Sequence, residues 1–267
     1  MEFGYCIDNR FLLDDDPRGR EIFGGVLAAG YDYIETQLTR LLALSPAGYA
    51  GFKHRLTDAG VPCRVGMMLF PYDMPLVAEE RDLAAITAHA ARTLSIAADL
   101  GCELIVFGHG GIRAVPEGMA YETAQSRLLD ILRLLGGLAQ PHGLKIAVEP
   151  LCDTNMITSF PQAAEIARQC GPAIGAVFDL YHATALGQSP TDIAQLPEKL
   201  FHLHIANPTG RTVPADTDDQ APYEAFAAAA RQCGYDGKLS VEAGIPGGAD
   251  AGKAVAEALR IIHKYFS

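Results

Sequence analysis

Short apolar segments recur along the chain, and the stretches between them return an apolar residue every three to four positions. Eight of these segments have the length and the branched or aromatic composition of buried strands. They cover residues 3–8, 31–37, 63–69, 104–109, 145–150, 174–179, 201–206 and 239–243. The stretches between them, such as 122–140 and 249–266, have the periodicity of amphipathic helices. The pattern therefore predicts eight strands that alternate with helices.

Alternating strands and helices favour a parallel sheet, which either stays open or closes into a barrel. The fourth apolar segment, "LIVFGHGG", is followed by neither a G-x-G-x-x-G nor a P-loop sequence, so an open nucleotide-binding sheet is disfavoured. We therefore predict a (β/α)8 TIM barrel. No Pro- or Ser-rich linker interrupts the alternation, which predicts one domain over residues 1–267. The crossover at 183–199 has the weakest helical pattern.

Composition narrows the class of partner. With 49% hydrophobic residues and a net charge of −11, the chain has a large core and lacks the basic surface that binds nucleic-acid phosphates. No apolar run reaches the ~18 residues of a membrane span. Six scattered cysteines without a C-x-x-C pair, and an N-terminal "MEFGYCIDNR" unlike a signal peptide, lead us to expect a cytoplasmic protein without nucleic-acid or membrane partners.

Polar residues stand at the ends of several predicted strands. The carboxyl ends of barrel strands converge on one mouth, where active sites lie. Glu149, Asp179, His204 and Glu242 end four consecutive strands at intervals of 30, 25 and 38 residues. Because neighbouring strands lie about 4.8 Å apart, the four side chains are able to surround one point.

The chemistry of these four side chains indicates a metal. Three carboxylates and one imidazole form a mostly oxygen shell, which favours Mn²⁺ and also suits Mg²⁺, Co²⁺ or Zn²⁺. Taken singly, an acidic residue at a strand end is more often a helix N-cap, and a histidine on an apolar strand is more often a hydrogen-bonded core residue. The regular spacing of all four favours one divalent metal ion.

Four short segments at these positions carry a family resemblance. They resemble segments of the xylose-isomerase-like sugar isomerase and epimerase superfamily, especially its ketose 3-epimerase branch. The segments are "VEPL" at 148–151, "FDLYH" at 178–182, "HLHIANPTGR" at 202–211 and "GYDGKLSVEA" at 234–243. Each is weak alone, but their order and spacing match the superfamily.

The resemblance implies a reaction and roles for particular residues. It implies that the metal helps to remove a proton next to a ketose carbonyl through an enediolate. Glu149 and Glu242 would serve as the catalytic acid and base as well as ligands, on opposite faces of the sugar. His182 and Arg211 would contact the substrate. The expected partner is a small-molecule sugar or keto-sugar, and the resemblance suggests a homodimer or homotetramer.

Some positions depart from the family pattern or stand outside it. The segment after Pro150 is shorter than in ketose 3-epimerases, which leaves Asp153 as the nearest carboxylate for a substrate hydroxyl. Relatives often carry an acidic residue where this chain has Asn207. His109, in "FGHGG", is a further candidate substrate contact, whereas Arg113 and Lys253 are expected to be solvated. The shorter segment after Pro150 and the residue Asn207 leave the identity of the sugar open.

Two other reactions stay open. A lyase or dehydratase acting on a keto-cyclitol or a 3-keto-glycoside would use the same metal and the same proton abstraction. A hydrolase like the apurinic-site endonucleases would need more metal ligands. The third strand end, "LFPYD", offers no histidine, and "GRTVPADT" lacks a D-x-H motif, so the hydrolase is the remote alternative.

Overall fold

Eight parallel strands close into a barrel in chain order. The structure is a computed structural model that describes residues 1–8 and 16–267, so the last two residues of the N-terminal "MEFGYCIDNR" lie outside it. The strands are β1 Glu2–Ile7, β2 Tyr33–Gln37, β3 Cys63–Met67, β4 Leu104–Phe107, β5 Lys145–Val148, β6 Ile174–Asp179, β7 Leu200–Ile205 and β8 Lys238–Val241. Each strand pairs with the next, and β1 pairs with β8. The predicted single-domain TIM barrel is confirmed.

Helices follow most strands and pack on the outside of the barrel. The α-helices of the described residues are α1 Pro17–Ala29, α2 Leu38–Leu42, α3 Pro46–Ala59, α4 Leu83–Leu100, α5 Tyr121–Ala139, α6 Phe160–Arg168, α7 Leu180–Ala185, α8 Ala221–Gln232 and α9 Ala251–Phe266. The weak helical pattern of the sixth crossover corresponds to the short α7 and two 3-10 turns that begin at Pro190 and Pro197. No helix in the described part of the chain has the length and apolar character to cross a bilayer.

Local sequence explains where the helices begin and end. Asp82 caps α4 by accepting hydrogen bonds from the backbone N–H groups of Ala84 and Ala85. Gly101 ends the same helix with a φ of 82°, a left-handed conformation that glycine adopts without steric cost. These end signals set the bounds of α4 between β3 and β4.

Apolar side chains fill much of the barrel interior, and polar side chains lie at the mouth formed by the carboxyl ends of the strands. Tyr33, Val65 and Val106 belong to a buried cluster inside the barrel, and a larger cluster lies between strands and helices. At the amino-terminal end of the strands, Lys238 forms ion pairs with Glu2 and Glu103. Apolar side chains therefore fill much of the barrel interior. The polar side chains at the carboxyl ends of the strands lie at the open mouth.

Candidate active site

The four predicted ligands converge at the barrel mouth. One ligand atom from each of Glu149, Asp179, His204 and Glu242 lies within 4.8 Å of the others. The Nδ1 atom of His204 lies 2.8 Å from a Glu149 oxygen, 3.3 Å from a Glu242 oxygen and 3.7 Å from an Asp179 oxygen. All four side chains are buried except that of Glu242, which is 24% exposed. The convergence that the spacing predicted is therefore present.

Asp179 has two structural tasks at once. Its Oδ1 atom accepts a hydrogen bond of 2.8 Å from the backbone N–H of His182 and so caps α7. Its Oδ2 atom faces the imidazole of His204. Asp179 is thus a helix cap through Oδ1 and a candidate metal ligand through Oδ2, so the two interpretations of an acidic residue at a strand end do not exclude each other.

A glycine at the end of β4 makes room for Glu149. A Cβ atom placed on Gly108 would lie 2.0 Å from the Oε2 atom of Glu149, far inside any non-bonded contact. Only a residue without a side chain leaves the carboxylate in its present position. Gly108 therefore shapes the site because it has no side chain.

The charges of the cluster are unbalanced. Burial and the nearby Glu242 raise the pKa of Glu149 to about 7. Burial also opposes ionisation of Glu242, but the His204 charge and Arg211 outweigh it and lower its pKa to about 2. Burial likewise lowers the pKa of His204, yet the surrounding carboxylates raise it well above its ordinary value. The cluster therefore holds protons where a cation would replace them.

This donor set fits a divalent cation. Carboxylate oxygens and an imidazole nitrogen are the atoms that Mn²⁺, Mg²⁺, Co²⁺ and Zn²⁺ bind in proteins. Glu149, Asp179, His204 and Glu242 would hold it, since these are the residues whose ligand atoms face one another. Three carboxylates around one imidazole otherwise repel one another, and a cation would remove that repulsion.

Two histidines present unused nitrogen atoms at the same mouth. The Nδ1 atom of His182 accepts a hydrogen bond of 3.2 Å from the backbone N–H of Cys152, and the Nδ1 atom of His109 accepts one of 3.2 Å from the backbone N–H of Ile112. Each ring therefore carries its proton on Nε2 when neutral. Both Nε2 atoms are buried and lack a hydrogen-bond partner among the described residues.

Arg211 is held against Glu242 by a strained backbone. Its φ is 53°, in the left-handed region that residues with side chains rarely adopt. Its backbone N–H donates to the Asn207 carbonyl, and its own carbonyl accepts from the Gly244 N–H, which ties together the loops after β7 and β8. The guanidinium lies 2.7 Å from Glu242 and stacks on the Tyr181 ring.

A cavity of about 510 Å³ lies in front of the cluster. Every predicted substrate contact lines it, together with two of the four cluster residues. These lining residues are His109, Asp153, His182 and Arg211, with Glu149 and Glu242. The exposed Tyr72 ring lies edge-on to His109 at 4.1 Å between ring centroids and forms part of the same wall. The predicted contacts are therefore brought together, although their roles stay predictions.

The prediction that Arg113 is solvated is wrong. The side chain is fully buried, and its guanidinium donates hydrogen bonds to the backbone carbonyls of Phe107, at 3.2 Å, and of Glu149. The 3-10 turn at 111–113 directs it beneath the ends of β4 and β5, where it bridges the two strands. Lys253, by contrast, is exposed as expected, with its side chain 86% accessible.

Sequence reasoning did not assign Glu35, in the middle of β2, to the site. Its carboxylate is fully buried inside the barrel and contacts the Nε2 atoms of both His202 and His204. Burial alone would raise the pKa of Glu35, but the two imidazoles hold it below its ordinary range. The sequence feature that could have indicated a role for Glu35 is a charged residue within an apolar strand. His202 is a hydrogen-bonded core residue, as expected for a histidine on an apolar strand.

The fold and the cluster define a TIM barrel with a candidate metal centre at its mouth. Residues 25–265 match the family described as Xylose isomerase-like TIM barrel, so the chain belongs to that family. The resemblance carried by the four short segments is thereby confirmed.

Known proteins with similar sequences have different activities. The chain is 27% identical over 185 residues to the 3-dehydroshikimate dehydratase of Pseudomonas putida, which covers 68% of this chain and 27% of that protein. It is 34% identical over 90 residues to the inosose isomerase of Bacillus licheniformis, which covers 32% of this chain and 31% of that protein. The aligned region spans less than a third of either relative.

A solved structure matches the whole barrel. A D-psicose 3-epimerase determined in the presence of D-fructose superposes with a TM-score of 0.82, covering 100% of this chain and 99% of that chain. Identity over this superposition is 18%, so the likeness establishes the fold.

Proposed function

We propose that this protein is a divalent-metal-dependent isomerase or epimerase that moves a proton next to the carbonyl of a sugar or sugar-like ketone. The observation that carries the proposal is the convergence of Glu149, Asp179, Glu242 and the Nδ1 atom of His204 next to a cavity that the two glutamates line. A bound cation would polarise the carbonyl and stabilise the negative charge that develops as the proton leaves.

The two glutamates differ in the way that an acid and a base must differ. Arg211 and His204 keep Glu242 ionised, which suits it to remove a proton from carbon. Without a cation, Glu149 has a pKa of about 7, so of the two glutamates it takes up and returns a proton more readily. Return on the opposite face inverts the carbon centre, and in the reverse direction the two residues exchange roles. Return to the neighbouring carbon from a single face gives isomerisation instead.

The other residues of the cavity would hold substrate oxygens. His109 and His182 each offer an Nε2–H donor without a partner in the described structure, which suits carbonyl and hydroxyl oxygens. Asp153 offers an acceptor for a hydroxyl hydrogen. Arg211 is the one permanently cationic side chain among the described lining residues, and it already pairs with Glu242. We therefore propose an uncharged polyhydroxylated ketone rather than a sugar phosphate.

A dehydratase is the second candidate, because one curated relative is a 3-dehydroshikimate dehydratase. The first step would be the same removal of a proton by Glu242. The electron pair left on carbon would then form a C=C bond as the C–O bond at the β position breaks. The leaving oxygen takes a proton from the acid and departs as water.

The two candidates are separated by one assay. The Mn²⁺-loaded protein is incubated in deuterated buffer with a panel of ketoses and cyclic polyhydroxy ketones, and the products are followed by NMR. Deuterium at the carbon next to the carbonyl, with changed configuration or a moved carbonyl and no loss of water, supports the isomerase or epimerase. A dehydrated product supports the dehydratase. Absence of both exchange and dehydration with every ketone contradicts both.

A further inference from the structure

A second layer of polar side chains lies inside the barrel behind His204. The Oε1 atom of Glu35 lies 3.2 Å from the Nε2 atom of His204, and its Oε2 atom lies 3.1 Å from the Nε2 atom of His202. All three side chains are 0% exposed. The Glu35 side chain thus extends from β2 through the barrel interior to β7. It contacts the ring nitrogen of His204 that faces away from the other cluster residues.

Such a carboxylate is costly unless it has partners. A buried ion that loses its hydrogen-bond partners strongly destabilises a fold. Here an ionised carboxylate has only acceptors, so each imidazole must donate an N–H to it from Nε2. The arrangement therefore determines which nitrogen of each ring carries a proton.

The consequence for His204 concerns its other nitrogen. With Nε2–H committed to Glu35, a neutral His204 carries a bare lone pair on Nδ1, the atom that faces Glu149, Asp179 and Glu242. His202 occupies the second oxygen of Glu35, and its ring packs edge-on against His204 at 4.9 Å between centroids. The orientation of the His204 ring is therefore fixed from two directions.

We infer that Glu35 is a positioning residue of the candidate metal centre. It orients His204, selects the tautomer with a free Nδ1 and increases the basicity of that nitrogen toward a cation. Carboxylates that support a metal-bound histidine in this way contribute about 10–100-fold to metal affinity. The inference rests on the proposed function only through the presence of a cation at the cluster.

The test measures Mn²⁺ binding to the metal-free protein by isothermal titration calorimetry. Glu35→Leu removes the acceptor, and its affinity should fall by about 100-fold, whereas Glu35→Gln keeps a neutral acceptor and should lose about 10-fold. Glu103→Gln changes a carboxylate at the opposite end of the barrel, paired with Lys238 and Arg64, and should leave the affinity unchanged. Circular dichroism and a cooperative thermal transition establish that each variant is folded.

A spectroscopic measurement separates positioning from a general effect on structure. The visible absorption bands of the Co²⁺-loaded protein should shift in Glu35→Gln, because the imidazole ligand changes its basicity, and should stay in place in Glu103→Gln. If Glu35→Leu does not fold, Glu35→Gln alone carries the test.

Three outcomes would overturn the inference. Glu35→Gln with an affinity within twofold of the wild type and an unshifted Co²⁺ spectrum leaves Glu35 no role at the centre. Two bound Mn²⁺ ions in the wild type, one of which is lost in Glu35→Gln, make Glu35 a ligand of its own ion, near Cys6. Wild-type protein that binds no Mn²⁺ contradicts the proposed metal-dependent function as well.

Discussion

At the scale of single residues, the site is built from groups that the rest of the fold would exclude. Glu149 and His204 are both buried: the surrounding carboxylates stabilise the charged form of His204, whereas burial and the nearby Glu242 raise the pKa of Glu149 to about 7. Polar residues at the ends of apolar strands, spaced by about one strand–helix unit, were enough to predict that Glu149, Asp179, His204 and Glu242 converge. The burial of Arg113 could not be predicted, because its partners are backbone carbonyls that a sequence does not display.

The two glutamates give the most direct residue-scale prediction. Glu149→Gln and Glu242→Gln each keep the shape of the side chain but remove the group that carries the proton. Turnover should fall by about 10²–10⁴-fold in each variant, while the thermal transition remains cooperative. The measurement is the rate of deuterium exchange into the substrate.

A matched control is Glu165→Gln, an exposed glutamate on α6 that pairs with Arg168. It should keep the wild-type exchange rate. Near-normal exchange in either Glu149→Gln or Glu242→Gln would contradict the two-base scheme.

At the scale of elements, the barrel follows directly from the sequence, whereas the contacts between strand ends do not. All eight predicted strands are present, with ends that differ by a few residues, because buried parallel strands and glycine-terminated helices leave strong local signals. The link from β2 to β7 through Glu35 was not predicted, since it joins residues 167 and 169 positions apart. Such long-range pairs depend on barrel closure rather than on any local pattern.

The approach of β4 to β5 gives an element-scale prediction. In Gly108→Ala, the added methyl group would occupy the space of the Glu149 carboxylate and displace it from the cluster. Mn²⁺ affinity and turnover should both fall, by about tenfold or more, because the added methyl group would move a proposed ligand and catalytic group. Calorimetry and the exchange assay measure the two effects.

Gly137→Ala on the exposed face of α5 is the control, because a methyl group there meets open space. It should leave binding and turnover unchanged and should slightly stabilise the helix. Gly108→Ala with unchanged Mn²⁺ affinity would show that the Glu149 carboxylate is not held where the structure has it.

At the scale of the whole molecule, the barrel collects negative charge at its mouth, where a cation would balance it. The chain carries a net charge of −11, and three carboxylates of the cluster face a single imidazole. Composition pointed away from polyanionic partners. It gave no information on which small molecule would bind, because the described lining residues of the cavity come from seven different strand–helix units.

The charge balance predicts how metal binding depends on pH. Without a cation, burial and Glu242 raise the pKa of Glu149 to about 7, and the carboxylates raise that of His204. Binding requires an ionised Glu149 and a bare Nδ1 on His204, so it must release protons when it occurs near or below neutral pH. Mn²⁺ affinity should therefore rise between pH 6 and pH 8, by about tenfold per pH unit for each proton released.

Calorimetry in two buffers of different ionisation enthalpy measures this proton release directly. The heat of binding should differ between the buffers at pH 6 and should become more alike toward pH 8. Equal heats in both buffers at pH 6, with an affinity that does not change with pH, would contradict the charge distribution described for the cluster.

The most direct measurement is an anomalous difference map from a crystal of the protein grown with Mn²⁺. The account predicts one strong peak at the barrel mouth, bonded to side-chain atoms of Glu149, Asp179, His204 and Glu242, with Nδ1 as the histidine ligand. A map with no peak at saturating Mn²⁺, or with the ion bound away from these four residues, would contradict it.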